Sequence, residues 1–475
     1  MKPEHSSEIL SLQASWEEGG PGPAEWLADT QRKIAALDSS GPCLNAVLEW
    51  NPEAEGIAAA LARERETTGR RSPLHGIPVL LKDNIDTADG MHTSAGSLAL
   101  ADRFAAKDAF VAARLRAAGA VLCGKANMTE FANFMAENMP NGYSSRGGQV
   151  KSPWRADADP SGSSTGSAVA VAAGYVPLAI GTETCGSIIS PSAAAGVVGL
   201  KPTVGWVSRA GILPIAPSQD VAGPIARSVA DCALAFQWMA GFDADDPSTG
   251  QCVGRAVPGP ECLEDGDLRG VRLGLWELDE DDKPVRQPAF FSAVKALETL
   301  GAEIVPYSPP KGVGSAMITV LTHEFAPAMD AALRHGSGAI RTMAQIASFH
   351  EAHREACLRH GQKYILDALA LRRPMLTQEY FEARQRARDG LRDLRRGFEQ
   401  LRLDAVVSKT GLMAFPVTGC PALTLPVGVD GETGLPVPLT LNGLPFSEGA
   451  LLRIGAALER AVGIGSRPPC VETNG

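Results

Sequence analysis

Gly181-Thr182-Glu183-Thr184-Cys185-Gly186-Ser187-Ile188-Ile189-Ser190 follows the apolar run Val176-Pro177-Leu178-Ala179-Ile180, and this junction decides how the rest of the chain is read. The run is short and apolar enough for a buried strand. The small and hydroxylated residues after it leave Ser187 unshielded and backbone N–H groups free to face a developing oxyanion. Upstream, Pro160-Ser161-Gly162-Ser163-Ser164-Thr165-Gly166-Ser167 opens the alanine-rich run at 168–173. That run predicts a buried helix whose N-terminal end gathers hydroxyls, free N–H groups and a positive dipole end. Capping of that helix by Ser161 or Ser163 is the plain structural alternative. A third apolar run, Gly76-Ile77-Pro78-Val79-Leu80-Leu81, delivers Lys82 ahead of Asp83-Asn84. A lysine there is ordinarily solvated or salt-bridged; apolar surroundings that keep it neutral would make it a base.

These pieces share one order with Pro73-Leu74-His75-Gly76-Ile77-Pro78, Gly124-Lys125-Ala126-Asn127-Met128-Thr129-Glu130-Phe131, Arg146-Gly147-Gly148-Gln149, Gly196-Val197-Val198-Gly199-Leu200-Lys201-Pro202-Thr203 and Asp220-Val221-Ala222-Gly223-Pro224. Together they make the chain resemble the amidase signature family over most of its length. Members of that family carry a lysine after an apolar strand, a Gly/Ser loop, and a second serine 24 residues after the first; Ser163 and Ser187 keep that interval. Gly181-Thr182-Glu183-Thr184 and Val207-Ser208-Arg209-Ala210-Gly211-Ile212 are similar to the peptide-amidase-like branch. The resemblance implies a cofactor-free amidase that cleaves a primary carboxamide to acid and ammonia, with no metal. It makes Ser187 the nucleophile, Ser163 a bridging serine on a cis peptide bond, and Lys82 the base. The N–H groups of Thr184, Cys185, Gly186 and Ser187 become the oxyanion hole. Moving Lys82 from about 10.4 to about 7 takes on the order of 4.6 kcal/mol, which burial can supply.

Residues 127–132 resemble the family's acyl-pocket segment, which implies Met128, Phe131 and Ala132 as substrate contacts, with Ile189 beside the nucleophile. As plain structure, Met128 and Phe131 are core residues of an amphipathic helix. Many relatives place arginine two or three residues after the nucleophile, where this chain has Ile189 and Ser190. That difference implies a neutral or apolar acyl side, as in amidated peptides or aryl and aliphatic carboxamides. Cys185 replaces a usual glycine, Glu183 a usual aspartate, and Ser161-Gly162-Ser163-Ser164 a usual Gly-Gly-Ser-Ser. A left-handed backbone at 185 would be natural for glycine and strained for cysteine.

Two rival readings are weighed. Gly162-Ser163-Ser164-Thr165-Gly166 matches the G-x-S-x-G elbow of α/β-hydrolase esterases, with Ser164 as nucleophile, but the elbow must follow a strand and residues 155–160 are polar and turn-like. Its histidine candidates, His323, His335, His350, His353 and His360, lie in helical sequence; His350 and His353 lack a third ligand for a metal. The other rival is the glutamine-hydrolysing subunit of a tRNA amidotransferase, a role that normally keeps the arginine this chain lacks.

Length alone suggests about three domains, yet no Pro/Ser-rich linker or charge run divides the 475 residues. The expectation is one α/β domain over 1–475, a mixed, mainly parallel sheet covered by helices. It comprises an N-terminal helical segment near 1–70, a signature core near 71–235 and a helix-rich insertion near 316–401 that walls the cleft. A helix at 108–118 followed by a strand at 120–123 is predicted, then a further helix capped by Asn127 with Glu130 three residues on, and a strand-helix-strand unit at 271–305. The tail from 404 to about 452 predicts a strand, a Gly/Pro loop and a final helix. Hydrophobic residues at 44% suffice for a large core, and a net charge of -10 without a basic cluster makes nucleic acid an unsuitable partner. No segment reaches the ~20 apolar residues of a membrane span, and residues 1–5 start no signal-peptide pattern. Nine scattered cysteines without a C-x-x-C pair point to a reducing, cytoplasmic setting. Oligomeric state is open, a homodimer being one arrangement.

Overall fold

Apolar runs of four to eight residues become strands of one sheet, and the computed structural model describes this for residues 7–263, 266–279, 283–463 and 467–472. The reading of residues 1–5 lies outside that range. In spatial order the eleven strands are Val47–Trp50, Val121–Ala126, Pro78–Lys82, Leu178–Glu183, Val221–Ala226, Val198–Lys201, Ala422–Val429, Pro436–Asn442, Ala405–Ser408, Arg272–Leu275 and Glu303–Pro306. The sheet is mixed. Parallel pairing holds on the two flanks, four pairs in all, around Pro78–Lys82 and around Arg272–Leu275. The other six pairs are antiparallel. The antiparallel centre arises because Val221–Ala226 inserts between Leu178–Glu183 and Val198–Lys201, and because residues 422–442 form a hairpin. That hairpin corrects the tail prediction, which had one strand where there are three before the helix Glu448–Val462.

Helices cover both faces. Phe110–Ala117, Val229–Met239, Pro288–Thr299 and Glu448–Val462 pack on one, with Val79, Leu81, Ile180 and Leu423 fully or almost fully buried beneath them. Thr165–Ala172 and Ala54–Thr68 pack on the other, against Leu80 and Ala179. Each such Leu, Ile or Val contributes about 1.5–3 kcal/mol. At the N-terminus Ser7 caps the helix Glu8–Glu17 and donates to Asp231 Oδ1 at 2.5 Å, tying that helix to the core.

The helix-rich segment comprises Met317–Ala332, Met343–Ala352, Arg354–Cys357, Lys363–Ala370 and Gln378–Leu401, interrupted by the turn at Pro374–Leu376. In the longest of them Ala383, Ala387, Gly390, Leu394 and Phe398 form the buried stripe. Ala328 and Ala331 on Met317–Ala332 face Arg209, Ile212, Pro214 and Pro217 of the core across a cavity of about 550 Å³.

The helix predicted after Asn127 is absent. Residues 130–133 form a tight turn, with Phe131, Ala132 and Asn133 at φ 46°, 55° and 70°. Tertiary partners outcompete the local cap: Asn127 Oδ1 accepts from Ser144 Oγ at 2.9 Å, and Glu130 Oε2 accepts from the Ser145 N–H at 2.7 Å.

Candidate active site

Parallel neighbours present their carboxyl ends on one side of a sheet, and that side is where open α/β sheets bind ligands. Pro78–Lys82 and Leu178–Glu183 are such neighbours, so Lys82 and the loop after Glu183 emerge together. Lys82 is fully buried, and its Nζ lies 2.8 Å from Ser163 Oγ, 2.9 Å from Ser164 Oγ and 3.1 Å from the Thr182 carbonyl. Burial pushes the ammonium down to about 7, against the opposing pull of Glu183 and Asp220.

Ser163 follows a cis peptide bond from Gly162, and its carbonyl accepts from the Thr129 N–H at 3.1 Å. Neither Ser161 nor Ser163 caps the next helix. Ser164 occupies the cap position without a side-chain cap bond, because its hydroxyl faces Lys82 and Thr182 instead. Ser164 Oγ also accepts from the Thr182 N–H at 3.2 Å. No strand leads directly into Ser164 and, among the described residues, no histidine bonds to it, which removes the structural setting of an elbow nucleophile.

Ser187 is 8% exposed, and its carbonyl accepts from the Ser164 N–H at 3.1 Å. Among the described residues no hydrogen bond joins the Ser163 and Ser187 hydroxyls. The N–H groups of Thr184, Cys185, Gly186 and Ser187 likewise have no protein acceptor there. Gly186, at φ 92°, makes the left-handed turn, and Cys185 does not. The substituted glycine position therefore needs no special backbone. Cys185 Sγ instead lies 3.1 Å from Gln219 Oε1, and burial raises its thiol pKa.

Sequence reasoning missed the residues that hold this loop. Glu183 Oε2 accepts from the N–H groups of Ile188 and Ile189 at 2.8 and 3.0 Å, satisfying the first donors of the helix Ile189–Ala195. Thr184 Oγ1 donates to Asp220 Oδ1 at 2.5 Å. The Glu183 contacts are local, five and six residues on, whereas the Thr184–Asp220 contact follows from the antiparallel pairing of Glu183 with Val221, which no local pattern announces. Asp220 itself lies in the block Asp220-Val221-Ala222-Gly223-Pro224, to which the sequence attaches no role.

The expected substrate contacts divide. Ala132 lies with Thr182, Thr184 and Asp220 around a cavity of about 10 Å³, room for one water. Met128 and Phe131 are buried in the core shared with the insertion. Ile189 is 1% exposed, with Cγ2 toward Gly411. His350 is buried between Ser97 and Gln362, whereas His353 is exposed and bonded to the Phe349 carbonyl, so the two imidazoles do not converge. All nine cysteines are free. No helix among the described residues is long and apolar enough to cross a membrane.

The family described as Amidase matches residues 25–416. The crystal structure of native peptide amidase from Stenotrophomonas maltophilia superposes with a TM-score of 0.92 and 40% identity, covering 98% of this chain and 99% of that one. A protein of Arabidopsis thaliana named as a probable amidase is 36% identical over 456 residues, 92% of this chain and 86% of its own. One glutamyl-tRNA(Gln) amidotransferase subunit, from Roseiflexus sp., is 34% identical over 471 residues, 93% of this chain and 94% of its own.

Proposed function

This chain belongs to the amidase family and hydrolyses carbon–nitrogen amide bonds; from that premise we propose that it cleaves a primary carboxamide through an acyl-enzyme on Ser187, with Ser163 and Lys82 relaying the proton. The observation that carries this reading is the fully buried Lys82, whose Nζ meets Ser163 Oγ at 2.8 Å with burial holding it near neutrality.

Counting hydrogens sets the direction of the relay. A neutral amine has two N–H donors and one lone pair. The Thr182 carbonyl can only accept. Ser164 Oγ also accepts from Lys82, because its own hydrogen goes to the Thr182 carbonyl at 3.0 Å. Both donors are then committed, and the lone pair faces Ser163. Ser163 gives its proton to Lys82 and takes that of Ser187 as the nucleophile attacks the carbonyl carbon. The same path returns a proton to the departing ammonia, and water then hydrolyses the ester. The N–H groups of residues 184–187 receive the oxyanion. The link between Ser163 and Ser187 closes when substrate binds, as catalytic bonds commonly tighten only with substrate.

On the acyl side the reading is a neutral or apolar carboxamide, including C-terminally amidated peptides. Its support is the absence of arginine at 189 and 190 together with the likeness to peptide amidase. The amidotransferase reading rests on a weaker likeness, 34% against 40% identity. The deciding experiment measures ammonia release from an amidated dipeptide by wild type, Ser187→Ala and Lys82→Ala. Release by wild type and loss in both variants is expected; turnover that survives Ser187→Ala would end this reading.

A further inference from the structure

Asn84 lies two residues beyond Lys82 at the end of the same strand; it is buried, and the hydrolytic relay does not use it. Its amide nitrogen donates to Thr182 Oγ1 and to the Leu213 carbonyl, both at 3.1 Å, so both of its hydrogens are committed. The Leu213 N–H returns a bond to the Asn84 carbonyl at 2.8 Å, and Ile85 bridges Ile212, which fixes this segment against residues 211–213. Thr182 is the other half of the contact. Its side chain meets Asn84, while its carbonyl accepts from Lys82 Nζ and Ser164 Oγ. Lys82 and Asn84 therefore hold one residue of the neighbouring strand from the same end of their own.

Beyond this contact lies space. Asn84 and Thr182 line the cavity of about 10 Å³ that has room for one water, together with Leu213, Ile215 and Asp220. Arg209, Ile212 and Asp220 line that cavity and also the one of about 550 Å³ beside the helix Met317–Ala332. The large cavity reaches the surface, since its lining includes the ion pair of Lys107 and Asp245, 2.7 Å apart and 65% and 61% exposed. From outside inward the order is the large cavity, a neck at Arg209, Ile212 and Asp220, the one-water cavity, the Asn84–Thr182 contact, and Lys82.

We propose that Asn84 is a positioning residue for the base: with Thr182 it seals the inner end of this passage, so that water entering from the large cavity stops short of the Lys82 amine. The inference rests on the reading of Lys82 as the base. Burial is what holds that amine down to about 7, and a water at Nζ would solvate the ammonium and return it toward its ordinary value. The charged groups near the amine are bonded elsewhere. Glu183 and Asp220 favour the ammonium, but Glu183 is turned to the N–H groups of Ile188 and Ile189, and Asp220 to Thr184 and the Ile215 N–H. Asp83 faces Ser94, Gly96 and Arg146, and Lys125 on the adjoining strand turns its amine to the Ile85 carbonyl and Thr93. At the neck Arg209 pairs with Asp246. None of these bonds involves the Asn84 amide, so a change in Lys82 on removing that amide reports water rather than charge.

The test follows the Lys82 Nζ nitrogen shift against pH in the whole protein labelled at its lysine side chains, the signal being the one lost in Lys82→Met. Wild type is expected to titrate at about 7. Asn84→Ala opens the seal and should raise the midpoint by about one pH unit or more. Thr182→Ala removes the other half and should do the same, so either variant that folds suffices. Asn84→Leu fills the space without a polar group and should stay within about 0.5 pH unit of wild type. An unmoved midpoint in the folded alanine variants overturns the proposal, as does an Asn84→Leu midpoint that moves as far as theirs. Kinetics on a neutral carboxamide supply the second readout. Asn84→Ala should lose about tenfold or more in kcat/KM at about pH 6 and about threefold or less at about pH 9, where both amines are neutral. An equal loss at both pH values with the midpoint unmoved marks a merely structural role and overturns the proposal. A raised midpoint beside an unmoved acidic limb removes Lys82 from the relay, and the functional reading falls while the seal stands. Failure to hydrolyse any amide would likewise count against the functional reading alone, since the nitrogen shift is read without turnover.

Discussion

Ser164 Oγ donates to the Thr182 carbonyl 3.0 Å away, and in the proposed relay that committed proton is what turns the Lys82 lone pair, 2.8 Å from Ser163 Oγ, toward Ser163. Ser164→Ala removes one acceptor and lets the amine rotate. It is expected to lower kcat by about 10- to 100-fold, the range of an impaired proton transfer, with KM little changed. Under the proposed relay Lys82→Ala, Ser163→Ala and Ser187→Ala should each cost about a thousandfold or more, and their combinations should not multiply, because the groups would act as one unit. Steady-state kinetics on one neutral carboxamide compares all four. An inactive Ser164→Ala beside an active Lys82→Ala would restore the elbow mechanism.

The acidic limb of kcat/KM should report Lys82. Below about 7 the amine is protonated and cannot accept, so activity climbs as pH rises through that value. Stability carries the same sign. The folded value lies below the ordinary 10.5, so the unfolded chain binds the extra proton between about 7 and 10.5, and wild-type stability gains with pH across that window. Lys82→Met lacks this term. Thermal melts should show its Tm relative to wild type falling steadily from about pH 7 to about pH 10; a constant difference would mean that Lys82 keeps its ordinary pKa.

The oxyanion loop makes a contrast between adjacent residues. Gly186 is left-handed, and a Cβ there would stand 3.1 Å from Ser190 Oγ, so Gly186→Ala is expected to cost kcat about 10-fold or more. Cys185 adopts no such conformation, so Cys185→Gly should stay within about threefold of wild type. Measuring kcat for both separates backbone geometry from the thiol.

Treatment with a chelator is expected to leave activity intact, and a fluorophosphonate should add one label to the peptide containing Ser187. Mass spectrometry of the digested, labelled enzyme reads the site. Loss of activity in chelator that zinc restores, or a label on another serine, would contradict the relay.

Substrate charge can be tested by pairing a neutral carboxamide with a size-matched ω-carboxylate. Nothing at 189 or 190 offers an anion its lost hydration, and Ile189 is buried against Gly411. The neutral member should have the higher kcat/KM. Ser190→Arg, at an exposed position, should narrow the gap. A preference of about tenfold or more for the anion in wild type, about 1.4 kcal/mol, would place another cation in the acyl site.

Reading the chain in order located the strand that ends at Lys82, the helix that begins after Ser164 and the turn that carries Ser187, because each is written in a contiguous apolar run followed by small or hydroxylated residues. The helix predicted after Asn127 failed for a physical reason. Asn127 and Glu130 had local partners to offer, but Ser144 and Ser145 made better bonds across the fold.

The family, the mixed α/β class and the candidate relay residues follow from the sequence, since spacing and residue type survive in one dimension. Tertiary structure alone decided that Ser164 Oγ meets the Thr182 carbonyl, that Asp220 braces the loop at Thr184, and that Glu130 stands beside His350 across 220 positions of chain. Those contacts arise where a helix packs on a strand, where an antiparallel strand is inserted between two others, and where the helix-rich segment folds back on the core. The energy of such pairs is set by burial and geometry, which no local pattern of residues encodes.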